Sequence, residues 1–383
     1  MTAPRRTALY DGHLALGAKI TDFHGWEMPL YYTSILDEHR AVRQACGMFD
    51  VSHMGQVLVG GPGAERLLNG LVVSDVANVG VGRACYTMLL NEQGGILDDI
   101  IIFRIAASEY LVIVNCANRV SDVAWMLRHA PADAQVQDVS DARGIVAVQG
   151  PEAAAVLEQA LEVRVGAMGR FDVAVLRAWG PQGWIARTGY TGGDGFELFL
   201  PNAQAVRAWQ RLAASKRAVP AGLGARDTLR LEGGLRLCGT DMDASTTPYE
   251  ADLGWTVAIN KPSFIGKEAL VKQKAAGVPR RLMGLRLEQG PVPRHGCAIT
   301  AAGRAIGTVT SGTFSPLLNA PIGLAYCEAS AAVPGTAIAA VIRDRSYPGL
   351  MVKLPFWKPE GQHAHSTGAA LHQDPRVGQT SER

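Results

Sequence analysis

The chain has 383 residues, of which 48% are hydrophobic and 19% are charged, and this composition predicts a globular protein with two or three domains. Its 37 Lys and Arg residues nearly balance its 35 Asp and Glu residues, which argues against a protein that binds nucleic acid through overall charge. Its six cysteines show neither a C-x-x-C pair nor the spacing of a zinc site, so we expect reduced thiols, no metal site and a cytoplasmic location.

The N-terminus contains no apolar segment of a secretory signal, and no run of about 18 apolar residues occurs, so we predict no membrane span.

The first part of the chain predicts interleaved helices and strands. Its aromatic segment D-F-H-G-W-E-M-P-L-Y-Y is expected to pack across other elements. Ser34 and Ser121 are suitable helix N-caps. The predicted helices cover residues 35–46, 63–71 and 121–129, and the strands cover residues 56–59, 84–90, 96–103 and 109–115.

Two adjacent aspartates, Asp98 and Asp99, interrupt the strand predicted after the turn Gln93–Gly95. Successive side chains of a strand point to opposite faces, so we expect one carboxylate on each face. If both faces are covered, one carboxylate enters the interior and needs a partner or a ligand. The alternative is an edge strand protected by its charges.

His53, just before a predicted strand, also allows two interpretations. It is either a catalytic base or, as is more common beside a strand, a hydrogen-bonded structural residue.

A similar alternation follows Gly144, which predicts a structural duplication and an α+β fold. The strands are predicted at residues 145–149, 171–179, 184–187 and 196–200, and the helices at 152–161 and 202–216. In the last strand, Glu197 lies on the face opposite Phe196, and glycines precede it, which permits close approach of a ligand. A helical segment over residues 222–234 places Arg226 and Arg230 on one face; the alternative for Arg226 is a structural salt bridge with Asp227.

Beyond residue 278 the pattern changes to short strands separated by Gly/Pro turns, which predicts a small β-barrel. We therefore expect α+β regions at residues 1–140 and 141–278, a C-terminal barrel at 279–358 and a disordered tail at 359–383. The N-terminal segment is expected to pack with the second region. The barrel strands are predicted at residues 282–286, 305–311, 322–326, 337–342 and 351–354.

Nucleotide and metal motifs are missing from the sequence, including a G-K-[ST] loop, a complete G-x-G-x-x-G fingerprint, H-E-x-x-H and a G-x-S-x-G elbow. The acidic and aromatic residues instead suit a flat, neutral heterocycle. A pterin presents a ring N–H beside an amino group, and a carboxylate accepts these two donors together.

Several segments together make the sequence resemble the aminomethyltransferase (T-protein) family of the glycine cleavage system over residues 7–357. They are L-Y-D-G-H-L-A-L-G-A-K, F-D-V-S-H-M, N-E-Q-G-G-I-L-D-D, G-Y-T-G-G-D-G-F-E, G-L-G-A-R-D-T-L-R-L-E-G-G-L, T-T-P-Y-E-A-D-L-G-W and G-T-V-T-S-G. The resemblance implies a three-domain cloverleaf around a tetrahydrofolate cavity, with a C-terminal β-barrel. It also implies transfer of the methylene carbon of an aminomethyl group, carried on the dihydrolipoyl arm of a partner H-protein, to tetrahydrofolate. The products are 5,10-methylenetetrahydrofolate and ammonia, and the expected location is the bacterial cytoplasm.

The same resemblance implies roles for seven residues. Asp99 corresponds to the aspartate beside the reactive folate nitrogen, and Glu197 to the carboxylate that holds the pterin. The further folate-binding residues implied are Met54, Tyr86, Asn115, Tyr190 and Arg226.

Alternative functions are a folate-dependent demethylase of a small methylated compound and a non-catalytic folate-binding factor of iron–sulfur assembly. The second is disfavoured because K-P-S-F-I-G-K-E, at residues 261–268, lacks the cysteine of the K-G-C-Y-x-G-Q-E motif. A flavin-linked dehydrogenase would need an additional nucleotide-binding domain. The segment P-F-W-K-P-E-G departs from the family pattern, so the role of Lys358 stays open.

Overall fold

The computed structural model describes residues 4–359, so residues 360–383 of the predicted disordered tail lie outside the described residues. The eight α-helices in this part are α1 (Tyr10–Ala15), α2 (Ile35–Gln44), α3 (Ala64–Leu71), α4 (Arg119–His129), α5 (Ala153–Leu161), α6 (Asn202–Ser215), α7 (Leu223–Glu232) and α8 (Lys267–Ala276). None of these helices is long and apolar enough to span a membrane.

The strands form a hairpin, two larger sheets and a closed barrel. The strands before residue 150 are β1 (Lys19–Phe23), β2 (Trp26–Tyr31), β3 (Gly47–Asp50), β4 (Gly55–Gly60), β5 (Arg83–Leu90), β6 (Ile96–Ala106), β7 (Glu109–Val114), β8 (Gln135–Asp138) and β9 (Arg143–Gln149). Those after it are β10 (Val173–Val175), β11 (Trp184–Ala186), β12 (Gly195–Pro201), β13 (Val219–Pro220), β14 (Arg280–Leu287), β15 (Ala298–Ala301), β16 (Arg304–Ser315), β17 (Ala320–Glu328), β18 (Ala337–Ile342) and β19 (Arg345–Val352).

The first large sheet has five strands in the order β5-β6-β7-β4-β8. Its apolar face packs against α3 and α4, with Leu68, Ile102, Val112 and Met126 among the buried residues of this core. Strand β6 lies between β5 and β7, and pairs with both in antiparallel register. Asp98 and Asp99 therefore do not lie on an edge strand, and the edge-protection alternative is wrong.

The second large sheet has six strands in the order β10-β11-β12-β9-β3-β13. Its core contains Val148, Leu157, Leu198 and Trp209, which pack between the sheet and helices α5 and α6. Strand β3 from the N-terminal part of the chain pairs antiparallel with β9, and β13 pairs parallel with β3. The N-terminal segment thus contributes a strand to the second sheet.

The two large sheets meet face to face through a shared apolar cluster. Phe103 of β6 and Phe199 of β12 meet there with ring centroids 5.1 Å apart, and Ala225 and Leu229 of α7 join the same cluster. Strand β6, strand β12 and helix α7 are therefore held in fixed positions relative to one another. Each carries one of the charged residues singled out in the sequence.

The C-terminal barrel closes in the order β14-β17-β16-β15-β18-β19, which confirms the predicted α+β fold with a terminal β-barrel. Two buried acids attach it to the rest of the chain. Glu232 at the end of α7 accepts from Arg43 of α2 at 3.1 Å and from the Ser315 hydroxyl of β16. Asp241 accepts from Arg230 at 2.6 Å and from the Thr310 hydroxyl of β16.

The structure corrects the start of one predicted helix and the extent of one predicted strand. Helix α4 begins at Arg119, not at the predicted cap Ser121, whose hydroxyl donates to the Asn118 carbonyl at 2.8 Å. Only Val173–Val175 forms a strand within the predicted strand 171–179. Phe171 lies at a φ of 64°, which is incompatible with an extended strand, and a 3₁₀ turn follows at Arg177–Trp179.

The aromatic N-terminal segment forms a β-hairpin of β1 and β2. Its two-residue turn consists of His24 and Gly25, with φ values of 53° and 80°, which is the backbone of the tight turns favoured in hairpins. The predicted helix after Ser34 is confirmed, and the Ser34 hydroxyl accepts from the Asp37 amide at 3.1 Å. These N-terminal elements pack against α6 and α7.

Candidate active site

The carboxylates of Asp98 and Asp99 meet at one asparagine. The side-chain amide of Asn115, which follows β7, donates to Asp98 at 2.8 Å and to Asp99 at 3.0 Å. Asp98 also accepts from the Asn115 backbone amide at 2.9 Å and from the Asn118 side chain at 2.7 Å. Asp98 nevertheless lies on the face of β6 that carries Ile100 and Ile102 into the core with α4, and Asp99 lies on the face of Ile101 and Phe103, as strand alternation predicts.

The Asp99 carboxylate accepts fewer hydrogen bonds than the Asp98 carboxylate. Asp98 is fully buried and its charge is satisfied by three hydrogen bonds, whereas Asp99 is partly exposed and accepts from the Tyr86 hydroxyl at 3.0 Å and from Asn115. Burial and then the charge of Asp98 raise the pKa of Asp99 to about 7. Asp99 can therefore gain or lose a proton near neutral pH, as a general acid–base group must.

An aromatic pair flanks Asp99. The Tyr86 ring stacks on Trp255 with centroids 6.2 Å apart and planes inclined by 25°. Trp255 is 51% exposed, although a tryptophan normally buries most of its ring. Trp255 is not among the residues predicted for the site, and its only signal in the sequence is its position at the end of T-T-P-Y-E-A-D-L-G-W.

The cationic residue of the site is Arg226 on α7. Its guanidinium lies 4.7 Å from the centroid of the Tyr190 ring, and within the described residues it donates no side-chain hydrogen bond. The Tyr190 loop can approach α7 because Gly192 faces Gly233: a Cβ on Gly192 would lie 2.7 Å from the Gly233 Cα. Tyr190 is further fixed by its hydroxyl, which donates to the Arg236 carbonyl.

The sequence offered Arg226 and Arg230 as a pair on one face, with a salt bridge between Arg226 and Asp227 as the alternative. That alternative is wrong, because Asp227 pairs with Arg230 at 2.9 Å. Arg230 also contacts Asp241 and Ser311 of the barrel attachment. The two arginines thus have different tasks, and only Arg226 stays without a charged partner in hydrogen-bond contact.

Glu197 lies in the middle of β12. Its neighbours Phe196 and Leu198 belong to the core behind the second sheet, as the strand alternation predicts. One Glu197 oxygen accepts from the Thr188 hydroxyl. Burial raises the pKa of Glu197, opposed by this hydrogen bond and by the charge of Arg226. The other oxygen, Oε1, has no donor in the described part of the chain.

The seven residues predicted for the site share one property: each stays partly accessible and has at least one buried neighbour in the sequence. Glu197, for example, is accessible although Phe196 and Leu198 are both 0% exposed. Accessible side chains inside buried strands indicate an internal opening. Strands β5, β6 and β12, the residue after β7, helix α7 and two connecting loops supply them. The residues are Met54, Tyr86, Asp99, Asn115, Tyr190, Glu197 and Arg226.

His53, for which the sequence left a catalytic base or a hydrogen-bonded structural residue as the alternatives, lies beside this group. It is 3% exposed, packs edge-on against Phe23 at 5.4 Å, and its Nδ1 has no partner among the described residues. Burial and the charge of Arg226 lower its pKa to about 4, so it is neutral at physiological pH. It is a packed neutral imidazole without the hydrogen bond that the structural interpretation expected.

A second cavity lies beyond Asp98. Its volume is about 570 Å³. The seven predicted residues all belong to the described part of the chain, and none of them lines this cavity. Leu97, Asn118 and Cys238 form part of its wall together with Asp122 and Trp125 of α4. Asn118 and Cys238 border both this cavity and the surroundings of Asp98, because Asn118 donates to the carboxylate at 2.7 Å and to the Cys238 sulfur at 3.4 Å.

Comparisons with known proteins match nearly the whole chain. The family described as "GCVT N-terminal domain" matches residues 9–261, and the "Glycine cleavage T-protein C-terminal barrel domain" matches residues 280–358. The aminomethyltransferase of Halothermothrix orenii is 44% identical over 355 residues, covering 92% of this chain and 99% of that protein. The aminomethyltransferase of Streptomyces avermitilis is 46% identical over 365 residues, covering 93% and 98%.

A solved structure agrees with these relatives. The crystal structure of the glycine cleavage system aminomethyltransferase T from Bartonella henselae superimposes with a TM-score of 0.88 at 35% identity, covering 92% of this chain and 98% of that one. The barrel match coincides with β14–β19, and the longer match contains both large sheets and the seven residues predicted for the site. The chain therefore belongs to the glycine cleavage T-protein family of folate-dependent aminomethyltransferases.

Proposed function

We propose that this aminomethyltransferase takes its one-carbon unit from the dihydrolipoyl arm of an H-protein and gives it to tetrahydrofolate in the opening among the seven site residues. The products are 5,10-methylenetetrahydrofolate and ammonia, and the expected compartment is the cytoplasm. The observation that carries the proposal is Asp99: a partly accessible carboxylate with a pKa of about 7, placed in a folate-dependent family.

The free groups of the site fit a reduced folate. Glu197 has one oxygen without a donor, and a pterin presents two parallel donors to a carboxylate. Tyr190 and Tyr86 offer aromatic faces, while Arg226 offers a cation with unused donors. A folate has aromatic rings, which can stack on the tyrosines, and a carboxylate tail, which can pair with the arginine.

The proposed roles follow from these contacts. Glu197 holds the pterin edge, and Arg226 and Tyr190 fix the ligand against α7. Asp99 accepts and returns a proton at the reacting nitrogen, and Tyr86 orients it through a hydrogen bond of 3.0 Å. Asn115, predicted as a folate-binding residue, orients both aspartates. The protein thus supplies position and charge, and the folate supplies the carbon chemistry.

The test is ammonia release from aminomethylated H-protein, measured with and without tetrahydrofolate. We expect release to depend on tetrahydrofolate and to give a stoichiometric amount of 5,10-methylenetetrahydrofolate. Release that is the same without folate would contradict the proposal. Dihydrolipoamide carrying the same aminomethyl group, used in place of the H-protein, separates chemistry from partner binding.

A further inference from the structure

The second cavity brings solvent close to the paired aspartates from a side different from the folate site. Its wall includes Asp122, which is 2% exposed and whose Oδ2 has no donor among the described residues. Asp98 lies next to Asp122, and its carboxylate already accepts three hydrogen bonds from Asn115 and Asn118. Two buried carboxyl groups in contact are stable when one of them carries a proton and donates to the other.

The charges around Asp122 favour a proton on Asp122. Burial, and then the charges of Asp98 and Asp99 on β6, raise the pKa of Asp122 to about 10. The other titratable groups near it are Cys238, whose thiol pKa is raised by burial, and Arg128 and Asp243 of the cavity wall. A protonated Asp122 carboxyl group can donate to the Asp98 carboxylate.

We propose that Asp122 is a positioning residue for Asp99, and that it exchanges protons between the second cavity and the Asp98–Asp99 pair. The inference rests on the proposed function. Asp98, Asp99 and Cys238 each have an oxygen or sulfur within 4.8 Å of those of the other two. One hydrogen-bonding atom, such as a water oxygen or the amine nitrogen, spans such a gap with two bonds of about 2.9 Å.

The proposed reaction needs proton movement although it consumes no proton overall. The S–C and C–N bonds of the aminomethylated arm (S–CH₂–NH₃⁺) break, and two N–C bonds form with tetrahydrofolate. The protons on its N5 and N10 are released: one ends on the arm sulfur as a thiol and one on ammonia as ammonium. Asp99 accepts one such proton while the bound ligand shields Asp99 from solvent. Proton exchange from the other side, through Asp98 and Asp122, then returns Asp99 to its reactive protonation state.

The experiment compares three variants of the full chain in single-turnover ammonia release across pH. Asp122→Asn keeps a hydrogen-bond donor for Asp98 but cannot exchange a proton. Asp122→Ala removes the group and leaves space in a cavity of about 570 Å³, so that formate can replace the carboxyl group. Ser121→Ala is the matched control, since Ser121 lines the same cavity and only donates to the Asn118 carbonyl.

We expect Asp122→Asn to slow the single turnover by at least about tenfold, short of the 10²–10⁴-fold typical of a direct acid–base group, with unchanged affinity for tetrahydrofolate. Asp122→Ala should be slow and regain activity with formate but not with equal chloride. Ser121→Ala should match the wild type. Wild-type rates in both Asp122 variants, or folded variants that are slow and insensitive to formate, would overturn the inference. If Asp122→Ala does not fold, the Asp122→Asn variant decides alone: a pH profile identical to that of the wild type would overturn the inference.

The wild type separates this inference from the function on which it rests. Ammonia release that requires tetrahydrofolate in the wild type, combined with unaffected Asp122 variants, would refute only the proton exchange. A wild-type protein without folate-dependent release would refute the proposed function and the inference with it.

Discussion

Asp98 and Asp99 are adjacent and chemically identical, yet the structure predicts opposite consequences when each is changed to Asn. Asp98→Asn places an amide group where the carboxylate now accepts from the Asn115 backbone at 2.9 Å and from two side-chain amides at 2.7 and 2.8 Å. Whichever way the new amide turns, its nitrogen faces a donor. Loss of one hydrogen bond to a charged group costs about 1.5–3 kcal/mol, so we expect at least this loss in the free energy of unfolding.

Asp99→Asn removes a charge that the fold itself disfavours. The folded-state pKa of about 7 lies above the usual 3.8, so the unfolded chain releases its proton at lower pH than the folded protein. Stability of the wild type therefore falls as pH rises from about 4 to about 7, and Asp99→Asn should lack this fall. Turnover, in contrast, should decrease by roughly 10²–10⁴-fold, the range of a positioned acid–base group.

Two assays test both variants: single-turnover ammonia release and urea denaturation. Both are run between about pH 5 and 8, a range that spans the Asp99 pKa of about 7. If the Asp99 carboxylate is the proton acceptor, the wild-type rate rises through pH 7, and this rise disappears in Asp99→Asn. An Asp99→Asn protein with nearly wild-type turnover would refute the assignment. An Asp98→Asn protein as stable as the wild type would refute the hydrogen-bond argument.

Three further predictions concern the ligand, the barrel and the partner. Glu197→Gln should weaken tetrahydrofolate binding by about tenfold or more, since an amide offers one acceptor to two pterin donors; unchanged affinity in calorimetry would contradict this. Glu232→Gln should destabilise the protein by up to about 3–5 kcal/mol, because Arg43 loses a buried counter-charge, and urea unfolding measures the loss. We expect an acidic H-protein to dock on a basic patch near the mouth of the folate site, so its association should slow as salt rises; a stopped-flow rate that is independent of salt would count against such a patch.

The sequence predicted most elements whose signal is local. Helix α2 follows its capping serine, and β12 shows the alternation that separates Glu197 from Phe196 and Leu198. Strand β3 escaped prediction because it has only four residues and pairs with β9, about a hundred residues later in the chain. Non-local pairing of this kind leaves no periodic pattern in a short segment.

The candidate site was predictable in part for the same reason. Recognisable segments identified the seven residues, and strand alternation identified the free face of Glu197. Alternation also placed Asp98 and Asp99 on opposite faces, but it could not show that Asn115 and Asn118, beyond the end of another strand, hold the Asp98 carboxylate. Hydrogen bonds between elements that are distant in the chain are not encoded in the local pattern, so the role of Asn118 was missed.

The arrangement also explains why the barrel accompanies a site to which it contributes none of the seven residues. Asp99 belongs to the first sheet, Glu197 to the second, and Arg226 to α7, which is fixed to the barrel by Glu232 and Arg230. A shift of about 1 Å in a positioned group can reduce a rate substantially, so the hydrogen bonds between the barrel serines and the α7 residues Glu232 and Arg230 help to fix the position of Arg226. A ligand that contacts all three groups must bind more tightly when they are held in place, and in turn it must stabilise their assembly.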